Sequence, residues 1–168
     1  MSDKPADRPF QLTLRGLVVI VILIAVAVAL VVPSYVRAMR RFAKGTCGSH
    51  LRSLWQVHLN YAAQYGGVND ETGSEFWLRL QRTPGPSFNK YEVFTCPDSN
   101  DAPGPGRCSY RGPAFPIRTM PPEDPIAADK DGNHGPGEGG NVLIRTGDVA
   151  SYEPTDALWI RARTTTKE

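Results

Sequence analysis

The sequence predicts an α+β protein: a long N-terminal transmembrane helix, kinked near Pro33, whose C-terminal half packs on a small antiparallel β-sheet. Three observations predict this class: an uncharged apolar segment near the N-terminus, helical periodicity that continues beyond it, and a C-terminal part rich in glycine and proline. The predicted organisation is a polar leader (1–11), a transmembrane helix (12–36), its amphipathic continuation (37–66), a β-containing head domain (67–163) and a disordered tail (164–168).

The apolar segment has the length of a membrane span. The 21 residues from Gly16 to Val36 carry no charge and are mostly Val, Ile, Leu and Ala. A helix of that length rises about 30 Å, the thickness of the hydrocarbon core. Apolar regions of signal peptides are shorter, about 7 to 15 residues, and end in a small-x-small cleavage site that residues 31–35 do not offer. We therefore expect a retained membrane helix, with a bend at Pro33.

Helical periodicity continues after the apolar segment. Apolar residues recur at three- and four-residue steps at Leu51, Leu54, Trp55, His58, Leu59, Ala62 and Tyr65. Gly66-Gly67 then ends the pattern, as is common at a helix C-terminus. The sequence predicts one helix over about residues 12–65, roughly 80 Å long at 1.5 Å per residue.

The rest of the chain predicts short elements, because Gly and Pro account for 25 of its last 103 residues. A short helix is predicted at Glu75–Gln81, with Phe76, Trp77 and Leu80 facing inward. Strands are predicted at Glu92–Thr95, Ile126–Asp129, Asn141–Arg145 and Val149–Tyr152, the last two joined by a turn at Thr146-Gly147-Asp148. Such a sheet would cover the amphipathic half of the helix.

Basic and acidic residues are unevenly distributed along the sequence. Five bases without an acid lie just after the membrane segment: Arg37, Arg40, Arg41, Lys44 and Arg52. Residues 66–168 carry 15 acids against 11 bases. Because anionic lipid attracts basic clusters beside a membrane span by about 1 kcal/mol per base, we expect contact with lipid headgroups rather than with nucleic acid.

The three cysteines predict one disulfide and one free thiol outside the cytoplasm. Cys96 and Cys108 are close together in a loop rich in Pro and Gly, which favours their pairing. Cys47–Cys96 is the alternative. The chain has no CxxC or HxxxH spacing, which argues against zinc.

We expect no cofactor and no enzymatic activity. Neither Cys96-Pro97 nor Ser109 lies in a nucleophile elbow or triad pattern, and no feature identifies a small-molecule substrate. Calcium is the one metal that the oxygen-rich loop would suit, with Asp129, Asp131 and Asp148 as ligands. The alternative is a Gly-rich turn in which these carboxylates bind backbone amides.

Several segments, taken in order, resemble type IV prepilins and type II secretion pseudopilins. Leu12-Thr13-Leu14 is similar to the Phe-Thr-Leu that opens their helix, and Pro33 stands at the position of their helix-kinking proline. "CGSHLRSLWQVHLNYAAQYGG", "FTCPDS" and "CSYRGP" are similar to segments of a large bacterial prepilin-like subfamily. "NHGPGEGGNVLIRTGDV" resembles its C-terminal box, with His134 followed by Thr146-Gly147 in place of Asp-Gly.

The resemblance implies a structural subunit of a type II secretion or type IV pilus-type system that meets other pilin-like subunits through its N-terminal helix. It also implies a single-pass protein of the bacterial inner membrane, with the N-terminus in the cytoplasm and the head outside. The processing site departs from the family pattern: Gln11 replaces the glycine before the cut and Leu12 the methylated Phe, while Gly16 stands where the family has Glu. A membrane-tethered adaptor or binding domain that descended from such a subunit and no longer polymerises is the alternative.

Topology from charge conflicts with topology from the resemblance. The five bases after the apolar segment carry more net positive charge than the residues before it. The positive-inside rule alone therefore places the head in the cytoplasm. Cysteines in a proline-rich loop instead fit an oxidising compartment. We follow the resemblance and expect the head outside the cytoplasm.

Overall fold

The computed structural model describes residues 14–84, 91–99, 101–135 and 137–168. The chain forms two compact units, residues 1–39 and residues 40–168. We call the second the head unit. The described part of the first unit is helical throughout, and the sheet belongs to the head unit.

Helix α1 (Leu14–Tyr65) is 52 residues long, and Pro33 lies inside it. Its buried residues are Cys47, Gly48, Leu51, Leu54 and His58, which from Gly48 onward follow at the three- and four-residue steps of one helix face. The predicted amphipathic stripe is thus confirmed up to His58. Leu59 and Tyr65 are exposed, so the last two turns are less covered by the rest of the head unit.

Helix α2 (Ser74–Arg82) confirms the predicted short helix. Phe76, Trp77 and Leu80 are fully buried, as the sequence predicts. Trp77 lies edge-on to Phe76 and donates a hydrogen bond from Nε1 to the carbonyl of Arg111 (3.1 Å), so the polar end of this buried aromatic residue is satisfied.

Five antiparallel strands form the sheet in the order β4-β3-β2-β1-β5. The strands are β1 (Tyr110–Pro113), β2 (Pro125–Asp129), β3 (Asn141–Ile144), β4 (Val149–Ser151) and β5 (Thr166–Lys167). The three strands predicted in residues 126–152 are confirmed within a residue or two. The turn between β3 and β4 is also confirmed, with the amide of Gly147 bonded to the carbonyl of Ile144 (2.9 Å) and Gly147 at φ 97°.

Both faces of the sheet are covered. On one face Leu51 and Leu54 of α1 join Phe76, Ile126 and Leu143 in the main core. On the other, a second cluster combines Ala128 and Val142 with Trp159 and Ala162 of helix α3 (Ala157–Thr165). This double cover explains why every residue of β2 is buried. The predicted class, a long apolar helix packed on a small antiparallel sheet, is confirmed.

Two predictions of local structure are wrong. Residues 92–95, predicted as a strand, belong largely to a 3₁₀ turn (Tyr91–Phe94), in which the amide of Thr95 bonds to the carbonyl of Glu92 (3.1 Å). The tail 164–168, predicted to be disordered, ends α3 and forms β5, whose residues pair with Gly112 and Pro113. The edge of β1 supplies backbone partners that the composition of the tail does not reveal.

Candidate functional site

The N-terminal part of α1 presents an apolar surface. Its large side chains are 42 to 78 % exposed from Leu14 to Val36. Within the part of the chain that the structure describes, α1 is the one helix long and apolar enough to cross a membrane. Gln11 and Leu12, the candidate processing residues, lie outside the described residues.

The bases after this segment have different surroundings. Arg52 donates a hydrogen bond to the carbonyl of Val149 on β4 (2.9 Å), so its guanidinium links α1 to the sheet of the head unit. Arg40 lies 3.6 Å from Glu138, both exposed. Arg37, Arg40, Arg41 and Arg52 are exposed and Lys44 is half-buried, so four of the five predicted lipid-contacting bases lie on the surface.

A disulfide joins Cys47 of α1 to Cys96, with 5.2 Å between their Cα atoms. The predicted Cys96–Cys108 pair is therefore wrong and the alternative is correct. Cys108 is a buried free thiol that donates to the carbonyl of Tyr110 (3.5 Å). Burial raises its pKa to about 12, so the thiol stays protonated. Nearness in sequence favoured the wrong pair, because only the packing of α1 brings residues 49 apart together.

His134 lies beside this disulfide, between two carboxylates. Its Nε2 is 2.8 Å from Oδ2 of Asp129, and its Nδ1 is 3.1 Å from Oδ2 of Asp98. The His134 side chain is 2 % exposed and that of Asp129 is 0 % exposed. The sequence does not predict Asp98 as a partner of His134, because the two are 36 residues apart, and it predicts Asp129 as a calcium ligand near His134.

Asn141 connects this cluster to α1. The oxygen Oδ2 of Asp129 accepts from the amide of Asn141 (2.7 Å) and from its Nδ2 (2.9 Å). The same Nδ2 donates to the carbonyl of Lys44 (2.8 Å). A side chain at Gly48 would meet Oδ1 of Asn141 at 3.2 Å, so the close approach of α1 to β3 favours glycine there. We call His134, Asp98, Asp129 and Asn141 the histidine cluster.

The two carboxylates favour the charged form of His134. Burial lowers the pKa of His134, but the hydrogen bonds and charges of Asp129 and Asp98 outweigh burial and raise the pKa above 6.5. The charge of Asp129 also acts on the neighbouring Tyr110. Here burial and the carboxylate change the pKa in the same direction, whereas at His134 they oppose each other. Burial, and then the charge of Asp129, raise the pKa of Tyr110 well above 10, so its hydroxyl stays neutral. The histidine cluster is a buried, charged hydrogen-bond network at the junction of α1 and the sheet.

The predicted calcium ligands do not come together. Asp129 is committed to His134 and Asn141. Asp131 is half-exposed and lies 3.2 Å from Arg163, while Asp148 accepts from Thr146 (2.8 Å) in the β3–β4 turn. Among the described residues these three carboxylates form no compact group of the size of a metal site, and calcium binding stays a prediction.

One group of side chains among the described residues has the compactness of a metal site. Sγ of Cys47, Sγ of Cys96 and a ring nitrogen of His134 all lie within 4.8 Å of one another, and all three residues are buried. In the structure the two sulfurs are bonded to each other. A shallow cavity of about 240 Å³ adjoins this group and is lined by His50, Glu92, Thr95, Cys96, Pro97, Asp101 and Pro103.

Of the residues in the C-terminal box, His134 joins the histidine cluster and Gly147 lies against α1. A Cβ atom on Gly147 would stand 2.7 Å from Nε1 of Trp55. Thr146 is exposed in the same turn. The two ends of the box therefore contact different parts of the head unit.

Comparisons with protein-family models, curated proteins and solved structures gave no match for this chain.

Proposed function

We propose that this chain is a structural, membrane-anchored, pilin-like subunit, either a pseudopilin or a minor pilin, of a type II secretion or type IV pilus-type system. The observation that carries the proposal is the double role of helix α1. Its N-terminal part is an exposed apolar segment, and its C-terminal part contributes buried residues to the core of a head unit with a small antiparallel sheet. In this proposal residues 17–36 lie in the bacterial inner membrane and contact lipid and the helices of other pilin-like subunits.

The disulfide supports a head unit outside the cytoplasm. Disulfides persist in oxidising compartments and are rare where thiols are kept reduced. The link Cys47–Cys96 holds α1 to the segment that follows the 3₁₀ turn. We therefore place the N-terminus in the cytoplasm and the head unit in the periplasm, against the direction that the basic residues alone favour.

The second candidate is a tethered adaptor or binding domain that does not polymerise. Gly16 favours it, because a pilin-type subunit pairs a membrane-embedded carboxylate at that position with the amine of a neighbour. With glycine there, the helix offers no such charge, and anchoring alone would be its role.

Leader processing separates the two candidates. The intact mass of the protein purified from membranes should show cleavage after Gln11 and N-methylation if it is a filament subunit. Retention of Met1 would favour the tethered adaptor. Replacing Gly16 with Glu gives a second test: increased recovery of cross-linked oligomers supports a filament subunit, and unchanged recovery counts against it.

Topology is tested by reporter fusions after Glu168. An alkaline phosphatase fusion should be active, because that enzyme needs an oxidising compartment, and a matched fluorescent fusion that folds only in the cytoplasm should be dark. The reverse pattern would overturn the periplasmic placement.

A further inference from the structure

The disulfide and the histidine cluster together have the composition of a metal site. Two sulfurs and one imidazole nitrogen, from three separate segments, lie within 4.8 Å of one another in a buried location. Tetrahedral zinc binds sulfur at about 2.3 Å and imidazole nitrogen at about 2.0 to 2.1 Å, which separates its ligand atoms by about 3.5 Å. The group is thus close to the size that zinc requires, provided that the two sulfurs are no longer bonded to each other.

The surroundings of His134 are those of a metal-binding histidine. Its Nε2 is held by the fully buried Asp129, which is in turn bonded to the amide of Asn141. In metal sites, a carboxylate on one ring nitrogen fixes the orientation of the ring so that the other nitrogen binds the metal. The other nitrogen here, Nδ1, faces Asp98, which follows Cys96 by two residues. Nδ1 is therefore directed toward the segment that carries one of the two sulfurs.

Asp98 supplies a fourth candidate ligand. Its Oδ2 lies 3.1 Å from Nδ1 of His134, and its side chain is 28 % exposed while that of His134 is 2 % exposed. A carboxylate oxygen is an accepted zinc ligand beside cysteine and histidine. Being the most exposed of the four residues, Asp98 is also where an ion would enter.

We propose that the reduced chain binds one zinc ion through Cys47, Cys96, Nδ1 of His134 and Asp98. A dithiol reductant breaks the S–S bond by giving two electrons and two protons, so that two cysteine thiols form and the reductant becomes a disulfide. Zinc then displaces a proton from each thiol, and Nδ1 of His134 binds in its unprotonated form with Nε2–H still donated to Asp129.

This site gives the head unit two alternative links between the same elements. In an oxidising compartment Cys47 and Cys96 are joined covalently. In a reducing one zinc would hold them together, with the loop that carries His134 as a third attachment. The inference is independent of the proposed function, because all four residues belong to the head unit and either membrane orientation is compatible with it. The sequence argues against zinc because it has no CxxC or HxxxH spacing. Apart from Cys96 and Asp98, the four ligands meet only in the folded chain.

The test uses the full chain in detergent. It is reduced with dithiothreitol, moved anaerobically into buffer without reductant, and titrated with Zn²⁺ or with Co²⁺ as a spectroscopic probe. We expect one equivalent of zinc to remain bound after desalting, and cobalt to show thiolate charge-transfer bands and the visible bands of tetrahedral coordination. The oxidised chain should bind neither metal. Absence of bound zinc from a reduced chain whose circular dichroism is still native would overturn the proposal.

Variants separate this site from adventitious binding. Cys47→Ser and His134→Asn should abolish the cobalt bands, and Asp98→Asn should raise the Kd for zinc at least tenfold. Because His134→Asn also removes a partner of the buried Asp129, Asp98→Asn is the milder variant: it changes a partly exposed side chain and leaves the hydrogen bonds of Asp129 to His134 and Asn141 in place. Cys108→Ser is the matched control and should keep one equivalent, since its thiol faces the carbonyl of Tyr110. Unchanged affinity in Asp98→Asn, or loss of zinc in Cys108→Ser, would contradict the assignment.

Discussion

At the scale of single residues, the head unit depends on a few buried polar groups. Asp129 is fully buried, and its Oδ2 accepts three hydrogen bonds, one from His134 and two from Asn141. A buried carboxylate is tolerated only when it is paired and hydrogen-bonded, and breaking such a pair from one side leaves the other charge uncompensated. The contribution of this network therefore depends on all its members being present.

Replacing Asp129 with Asn should lower the free energy of unfolding by about 3 kcal/mol, because His134 then loses its closest anionic partner and an amide nitrogen or oxygen must replace Oδ2. Thermal or urea unfolding of the purified protein measures this. Asp131→Asn is the control two residues away: its half-exposed carboxylate pairs with the exposed Arg163 and, at 3.8 Å, with Arg111, so the loss should stay below about 1 kcal/mol. Equal losses in the two variants would contradict the importance of the buried pair.

His134 should make stability depend on pH on the alkaline side. Its folded pKa is raised above the unfolded value of 6.5, so the folded state holds the proton more tightly. This contribution is fully present below pH 6.5 and is lost as the pH rises through the folded pKa. Unfolding free energies of the oxidised protein, measured from pH 6 upward, should fall more steeply in the wild type than in His134→Gln. Parallel curves would show that the protonation of His134 is not linked to folding.

At the scale of elements, the β3–β4 hairpin is fitted to α1 at Gly147. This glycine has φ 97°, and a Cβ atom there would stand 2.7 Å from Nε1 of Trp55. Two independent reasons therefore favour glycine: a backbone conformation that side chains disfavour and the absence of space against the helix. A larger residue at this position would push the β3–β4 hairpin away from α1.

Gly147→Ala should destabilise the protein by more than about 2 kcal/mol, because the positive φ and the contact with Trp55 both oppose the added methyl group. Gly132→Ala isolates the first effect, since Gly132 has φ 88° and a Cβ atom there meets nothing within 4 Å. We expect about 1 kcal/mol for that control. Chemical unfolding of both variants gives the comparison, and losses of equal size would rule out a tight contact with Trp55.

At the scale of the whole molecule, the chain combines a unit with an exposed apolar surface and a unit with its own core. The buried residues of α1 all lie at or beyond Cys47, within residues 40–168. Both hydrophobic clusters, the sheet and the disulfide also belong to this range. The head unit therefore contains every contact that its fold requires among the described residues.

A chain truncated to residues 40–168 should fold as a soluble, disulfide-bonded domain with a cooperative thermal transition. The full chain should instead remain with membranes after high-salt washing, because its apolar segment is long enough to cross a bilayer. Fractionation, followed by circular dichroism of the truncated chain, tests both expectations. A truncated chain without a cooperative transition would show that the first 39 residues contribute to the fold.

Local sequence patterns were sufficient for the elements whose causes are local. The apolar segment, the helical stripe through Leu51 and Leu54, helix α2 and the β3–β4 hairpin all follow from periodicity and turn residues over a few positions. Residues 91–94 form a 3₁₀ turn where the sequence predicts a strand at 92–95, since short runs of mixed polarity do not distinguish the two.

The sequence by itself determined that this chain has a long apolar helix with an amphipathic extension and a small antiparallel sheet, because side-chain period and backbone geometry are coupled along the chain. Only the tertiary structure decided the partner of Cys96, the pairing of the tail with β1, and the meeting of His134 with Asp98 and Asp129. Those contacts join segments that are far apart in sequence. Their formation depends on where packing places each backbone, which no local pattern encodes.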